Sequence, residues 1–136
     1  MSEINSRKIL FICRHNTVRS QIASTLANKL GKGKVTAWSA GPEPLKVPDY
    51  IKNWARILTG EKQTVKSTAL SEVTDLGFDL VITLCDKSHT ALPTLPSDTQ
   101  HICWDFHHSE DISSVKHLEM EIAERLRLMF LAKHII

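Results

Sequence analysis

Cys13 precedes Arg19 by a gap of five residues, and Ser20 follows at once, in the stretch Lys8-Ile-Leu-Phe-Ile-Cys-Arg-His-Asn-Thr-Val-Arg-Ser20. A thiolate is a strong nucleophile, and a guanidinium presents a planar fork to two oxygens of a tetrahedral anion. These residue types at this spacing suit attack on a bound phosphate-like oxyanion. The loop leaves an apolar run and leads into a helical pattern, so the backbone N–H groups of Arg14, His15, Asn16, Thr17, Val18 and Arg19 can turn toward one point. There the helix dipole also favours negative charge. The same field supports the thiolate of Cys13, and Ser20 is placed to donate a hydrogen bond to it. Cys13, Arg19 and Ser20 are thus the catalytic candidates. His15 either tunes the loop or faces solvent, and Asn16 also fits a plain turn.

The elements that must position these residues follow from the apolar pattern. Lys8 to Ile12 is a short continuous apolar strand, buried on both faces. Ile22, Ala23, Leu26, Ala27 and Leu30 recur at helical spacing, with Gly31 where a C-terminal cap belongs. Val35 to Ala40 is a second strand, ended by Gly41-Pro-Glu-Pro44. Pro48 starts a helix carrying Tyr50, Ile51, Trp54, Ile57 and Leu58 up to Gly60. Tyr50 and Trp54 are read as core, the alternative being a wall for an aromatic substrate. Ser67 to Gly77 predicts a helix with Leu70, Val73 and Leu76 on one side. Phe78 to Leu84 is a third strand, with Asp79 as a local hydrogen-bonding residue. Asp86 to Asp98, with Pro93 and Pro96, is loop, and Thr99 to Cys103 is a fourth strand holding Cys103 in the core. Val115, Leu118, Ile122, Leu126 and Met129 mark a long amphipathic helix. Strands alternating with helices imply an α/β fold with a parallel sheet and a ligand beyond the carboxyl ends of its strands. Cys13 and Cys85 both fall on that edge.

A length of 136 residues implies one domain over 1–136, and 42% hydrophobic with 24% charged residues is ordinary for a globular protein. The net charge of +2 argues against nucleic-acid or membrane partners, and Lys29, Lys32 and Lys34 read as a solvated helix end. The sequence has neither a long apolar window nor a signal core, which predicts a cytoplasmic protein. Three cysteines, an odd number, point to thiols used as chemistry or filler rather than to disulfides. No Cys-x-x-Cys or paired-His spacing suggests a metal, and no cofactor is expected.

Cys13-Arg-His-Asn-Thr-Val-Arg-Ser-Gln21, followed by the helix and Ser39-Ala-Gly41, resembles the low-molecular-weight protein tyrosine phosphatases and the arsenate reductases built on the same fold. Phe78-Asp-Leu-Val-Ile-Thr-Leu-Cys-Asp86 and His101-Ile-Cys-Trp-Asp105 resemble the third and fourth strands of that family, particularly of its arsenate-reductase branch. The resemblance implies a three-layer sandwich: a four-stranded parallel sheet with helices on both faces. It also implies a cysteine-dependent phosphatase acting on phosphomonoesters of the phosphotyrosine-protein type through a thiophosphoryl-Cys13 intermediate. The family's general acid is an Asp followed by Pro, a few residues beyond a Trp like Trp104. Here Trp104-Asp-Phe-His-His-Ser-Glu-Asp111 lacks that pair, and His108 falls at the family's position for the Asp. Asp105 is the first substitute, with His108 and Asp111 behind it, whereas a polar surface loop is the plain reading of His107 and His108.

The alternative the resemblance implies is an arsenate reductase, in which Cys13 forms an arseno-thiol adduct and Cys85 is the resolving thiol. The third thiol of the thioredoxin-coupled reductases falls at Leu92, which leaves that step to a thiol-redox partner of glutathione or glutaredoxin type. The neighbouring thiol of many family phosphatases is replaced by Val18. A non-catalytic module binding phosphate or arsenate is a second alternative, against which stands the intact Cys13. The phosphatase reading is preferred, since hydrolysis proceeds slowly with a replaced acid whereas reduction needs an electron route. The expected partner is therefore a phosphorylated protein or a small oxyanion.

Overall fold

Two β-strands flank the cysteine loop's own strand and fix where that loop begins. The computed structural model describes residues 7–60, 66–73, 75–84, 99–104 and 112–133. Strands β1 (Arg7–Ile12), β2 (Val35–Ala40), β3 (Leu80–Thr83) and β4 (Gln100–Cys103) form one parallel sheet in the order β2-β1-β3-β4. The chain runs from β1 out to β2 and then back across to β3, so the carboxyl end of β1 lies at the point where the strand order reverses. In open α/β sheets that is where the ligand crevice forms.

Strand alternation decides what each face buries. Ile9, Phe11 and Cys13 of the β1 line, with Leu80, Ile82 and Leu84 of the β3 line, pack under α1 (Arg19–Gly31), α2 (Asp49–Thr59) and α3 (Ile112–Ala132). Leu10, Ile12 and Val81 face the other way, against Ala40, Leu70, Val73 and Phe78. Both sides of β1 are apolar because both are covered, which is why its sequence reads as a continuous apolar run. The sheet is thus the middle layer of an α/β fold, with the three α-helices on one face and, among the described residues, the segment of Leu70, Val73 and Phe78 with its 3-10 turn on the other, where a helix was expected. Asp79 ties β3 to β1 at its start: its Oδ2 accepts from Lys8 N at 2.9 Å and its own N donates to Lys8 O at 2.9 Å.

Three sequence expectations are corrected. The Ser67 to Gly77 helix shrinks to a 3-10 turn at Leu70–Glu72. Ala69 is held in a strand-like bridge to Gly41, Ala69 N donates to Glu72 Oε2, and Gly77 has φ 75°. The spacing of Leu70 and Val73 fits the tighter turn, and both are buried, while Leu76 is exposed. Cys103 is exposed, because on β4 the side chains of Ile102 and Trp104 take the core face and alternation turns Cys103 to the other. Gly31 is the last residue of α1 rather than its cap, a role that falls to Lys32 at φ 37°. A Cβ on Gly31 would stand 2.7 Å from Val35 Cβ, so glycine there lets α1 and β2 approach. Lys29, Lys32 and Lys34 are exposed, as a solvated helix end requires. Among the described residues no helix is long and apolar enough to cross a membrane.

Phe130 is fully buried where α3 meets α1 and β2, 3.8 Å from the Gly31 Cβ position. Truncating it removes a large apolar contact and leaves a cavity. Phe130→Ala is expected to lower unfolding free energy by about 3–5 kcal/mol in a urea titration. A loss under about 1 kcal/mol would show that the α1–α3 packing is not what holds the helix layer.

Candidate active site

Residues 14–18 form the turn between β1 and α1. Four of their carbonyls are engaged away from the centre of the loop. Arg14 O accepts from Glu43 N at 3.0 Å, His15 O from Leu45 N at 3.1 Å, and Val18 O from Ile22 N at 2.9 Å. Asn16 O accepts from Gln21 Nε2 at 3.0 Å. Among the described residues, no backbone N–H of 14–18 donates to a protein acceptor. The first-turn N–H groups of α1 lack intrahelical partners too, and no acidic residue lies in that turn to compete with an anion. The loop thus keeps donors free while its acceptors are taken, as an oxyanion cradle requires. Asn16 makes the turn possible at φ 54°, a left-handed conformation that asparagine tolerates better than most side chains.

Beneath the cradle runs a buried relay whose direction is fixed. Thr68 N can only donate, so Asn16 Oδ1, 2.7 Å away, must be the acceptor. Asn16 Nδ2 then donates to Ser20 Oγ at 2.7 Å, which leaves the Ser20 hydrogen for Cys13 Sγ at 2.9 Å. Cys13, Asn16 and Ser20 are all buried. The sequence suggested Ser20 as this donor, and Asn16 proves to be more than a turn residue. Thr68 entered the site unannounced, since only its backbone is used and a backbone role leaves no mark on residue type.

Gly41 holds the two parts together. A Cβ there would stand 2.5 Å from Cys13 O, 2.7 Å from Arg14 O and 3.0 Å from Asn16 N. All three are backbone atoms of the cradle, so no side chain fits without displacing it. Gly41 N also donates to Thr68 O at 3.0 Å, and Leu70 N donates to Gly41 O at 2.9 Å, which fixes the strand that supplies Thr68. The signal in the sequence was a glycine directly after a strand, a common mark of close backbone approach.

Above the cradle opens a cleft of about 470 Å³ lined by Cys13, His15, Thr17, Val18 and Arg19 on the loop side. Leu45, Lys46, Pro48 and Tyr50 form the facing wall. Arg19 Nη1 donates to Leu84 O at 3.2 Å, anchoring one edge of the guanidinium to the end of β3. Arg14 turns its side chain to Glu43, with Nε 3.2 Å from Oε1, so its contribution to the cradle is its backbone N–H. His15 Nδ1 lies 2.8 Å from Glu43 O. Tyr50 combines both readings given to it, packing against the core while lining the cleft. Trp54 stands in a neighbouring groove between α2 and α3, its Nε1 donating to Glu119 Oε1 at 3.0 Å. Cys85, Leu92, Asp105, His107, His108 and Asp111 lie outside the described residues. Among the described residues no group of three His, Cys, Asp or Glu side chains is placed to hold a metal ion.

Residues 8–123 match the family of the low molecular weight phosphotyrosine protein phosphatases. The chain belongs to that family. Within this enzyme family its relatives include an arsenate reductase of Bacillus cereus strain AH187, 28% identical over 130 residues that cover 90% of this chain and 93% of the relative. The crystal structure of an arsenate reductase from Archaeoglobus fulgidus is similar at 31% identity and TM-score 0.68, covering 89% of this chain and 97% of that one. A low molecular weight protein tyrosine phosphatase structure from T. tengcongensis shares the fold at TM-score 0.76 and 18% identity, over 93% of this chain and 99% of that one.

The relay and the glycine contact each lead to a measurement. Ser20→Ala removes the hydrogen bond to the sulfur, worth about 0.5–1.5 kcal/mol, and is expected to slow alkylation of Cys13 by iodoacetamide about threefold or more. An unchanged alkylation rate would exclude the relay from controlling the thiol. Gly41→Ala is expected to cost about 1–3 kcal/mol of stability through the backbone overlap and to abolish phosphate binding by calorimetry. Wild-type phosphate affinity in that variant would show that the cradle tolerates the displacement.

Proposed function

We propose that this protein is an arsenate reductase in which Cys13 is the nucleophile and Cys85 the resolving thiol. The observation that carries the reading is the tie between the end of β3 and the cradle. Leu84 N donates to Ile12 O at 2.8 Å and Leu84 O accepts from Arg19 at 3.2 Å, so both sides of Leu84 are bonded to the residues that bracket the cysteine loop. Cys85 is the next residue of the chain. Relatives named arsenate reductases over nearly their whole length support the same choice. This reverses the preference drawn from the sequence, where the missing electron route weighed against reduction.

The cradle would hold arsenate by the free N–H groups of residues 14–18 and by Arg19, with the Cys13 sulfur below the arsenic. The sulfur forms a bond to arsenic and one arsenate oxygen leaves as water. Cys85 then attacks the Cys13 sulfur: the sulfur–arsenic bond breaks, its electron pair stays on arsenic, and arsenite leaves behind a Cys13–Cys85 disulfide. Two electrons from an external thiol of glutathione or glutaredoxin type restore both cysteines, since Leu92 offers no third thiol.

Phosphomonoester hydrolysis through a thiophosphoryl-Cys13 intermediate is the second reading. The apolar side of the cleft wall, with Leu45, Pro48 and Tyr50, favours it, since it suits an aryl leaving group. For the protonation of the leaving oxygen the sequence offers Asp105 and His108 as candidates, both outside the described residues.

Incubation with arsenate and excess dithiothreitol is expected to yield arsenite in the wild type, none in Cys13→Ser, and at most one adduct per chain in Cys85→Ser. Arsenite formation at the wild-type rate in Cys85→Ser would remove that residue from the mechanism. Steady release of phosphate from an aryl phosphate without arsenite formation would favour the second reading.

A further inference from the structure

Thiolate attack on either oxyanion expels an oxygen, and that oxygen leaves readily only if it gains a proton. The Asp-Pro pair is absent from the sequence after Trp104. We propose that His15 supplies this proton from its Nε2 atom, an inference that rests on Cys13 being the nucleophile.

The anchoring of the ring assigns its nitrogens. Glu43 O, 2.8 Å from His15 Nδ1, is a carbonyl oxygen and can only accept, so Nδ1 carries a hydrogen. The nitrogen left to gain and lose a proton is Nε2. The anchor is itself fixed: Glu43 N donates to Arg14 O at 3.0 Å and Glu43 Oε1 accepts from Arg14 Nε at 3.2 Å. Leu45 N binds His15 O at 3.1 Å, so the residue is held through both backbone and ring. This is stronger positioning than a solvent-facing loop histidine would receive.

The surroundings suit a proton carrier. His15 lines the same cleft as Cys13 and Arg19, and the other ionisable groups lining it are Lys46 and Tyr50. The Arg14–Glu43 pair stands on the anchored side of the ring. Among the described residues lining the cleft, His15 is the one imidazole, a side chain that both donates and accepts a proton through its ring nitrogens. Arg19 and Lys46 draw a doubly charged oxyanion into the cleft, and that anion in turn attracts a protonated imidazole. In the step itself, the Cys13 sulfur pair makes the new bond to arsenic or phosphorus while the bond to the departing oxygen breaks. The pair of that broken bond stays on the oxygen, which takes the Nε2 proton and leaves as water from arsenate or as an alcohol from a phosphate ester. The neutral ring recovers its proton from solvent.

The test uses His15→Asn, whose amide N–H can still reach Glu43 O but which has no titrating nitrogen, and His15→Gln, whose amide lies near the Nε2 position. Single-turnover arsenite formation with dithiothreitol is followed across pH, and inorganic phosphate affinity is measured by calorimetry. The wild type is expected to lose rate toward alkaline pH; both variants are expected to react about a hundredfold more slowly, to lack that alkaline fall, and to bind phosphate within about threefold of the wild type. Asp105→Ala and His108→Ala are expected to keep that alkaline fall. A wild-type pH profile in His15→Asn, or equal losses of rate and phosphate affinity in both variants, overturns the proposal. Cys13→Ser separates this outcome from a failure of the nucleophile itself: no turnover in that variant, with the wild-type profile kept in His15→Asn, removes His15 and leaves Cys13 in place.

Discussion

Carbonyl groups pulled outward are the constraint on which this site depends. A five-residue turn has as many acceptors as donors, and it becomes an anion cradle only if the acceptors are occupied elsewhere. Here Glu43, Leu45, Gln21 and Ile22 occupy them, and two of these four belong to the strand exit that follows β2. That exit can lie against the cradle only because Gly41 presents no side chain to Cys13 and Arg14. The cradle is therefore built by two segments, one that carries Cys13 and one that holds its backbone open.

The same division explains what the sequence revealed. The loop from Cys13 to Ser20 was legible because its chemistry needs particular side chains at fixed spacing. The central strands were legible because burial on both faces writes a continuous apolar run. The contributions of Thr68, Glu43 and Leu84 are made largely through their backbones, so almost any residue type would have served and nothing in their identity pointed to them. The segment 67–77 misled for a related reason: apolar residues three apart suit one 3-10 turn as well as the start of a helix, and the bridge from Gly41 to Ala69 decides between them. Cys103 was read as core from its strand, but on β4 the inward positions belong to Ile102 and Trp104.

The cleft has two chemically distinct sides. On the loop side are the thiol, Arg19 and the free N–H groups, all suited to a small tetrahedral anion. On the other side, Leu45, Pro48 and Tyr50 offer apolar surface that an inorganic oxyanion cannot use, with Lys46 among them. The oxyanion end is built from backbone groups, whereas the facing wall is built from side chains. Anion-binding groups and apolar surface thus occupy different parts of one cavity.

Cys13 lies near the start of the chain, yet the bonds that arm it close over long stretches of sequence. Thr68 is 52 residues from Asn16, and Leu84 is 65 residues from Arg19. Contacts of such separation form late, after the loop entropy of the intervening chain has been given up. During synthesis Cys13 emerges well before Thr68 and Leu84, without its oriented donor or cradle. The relay and the cradle are properties of the finished fold, present only once residues far along the chain have joined Cys13.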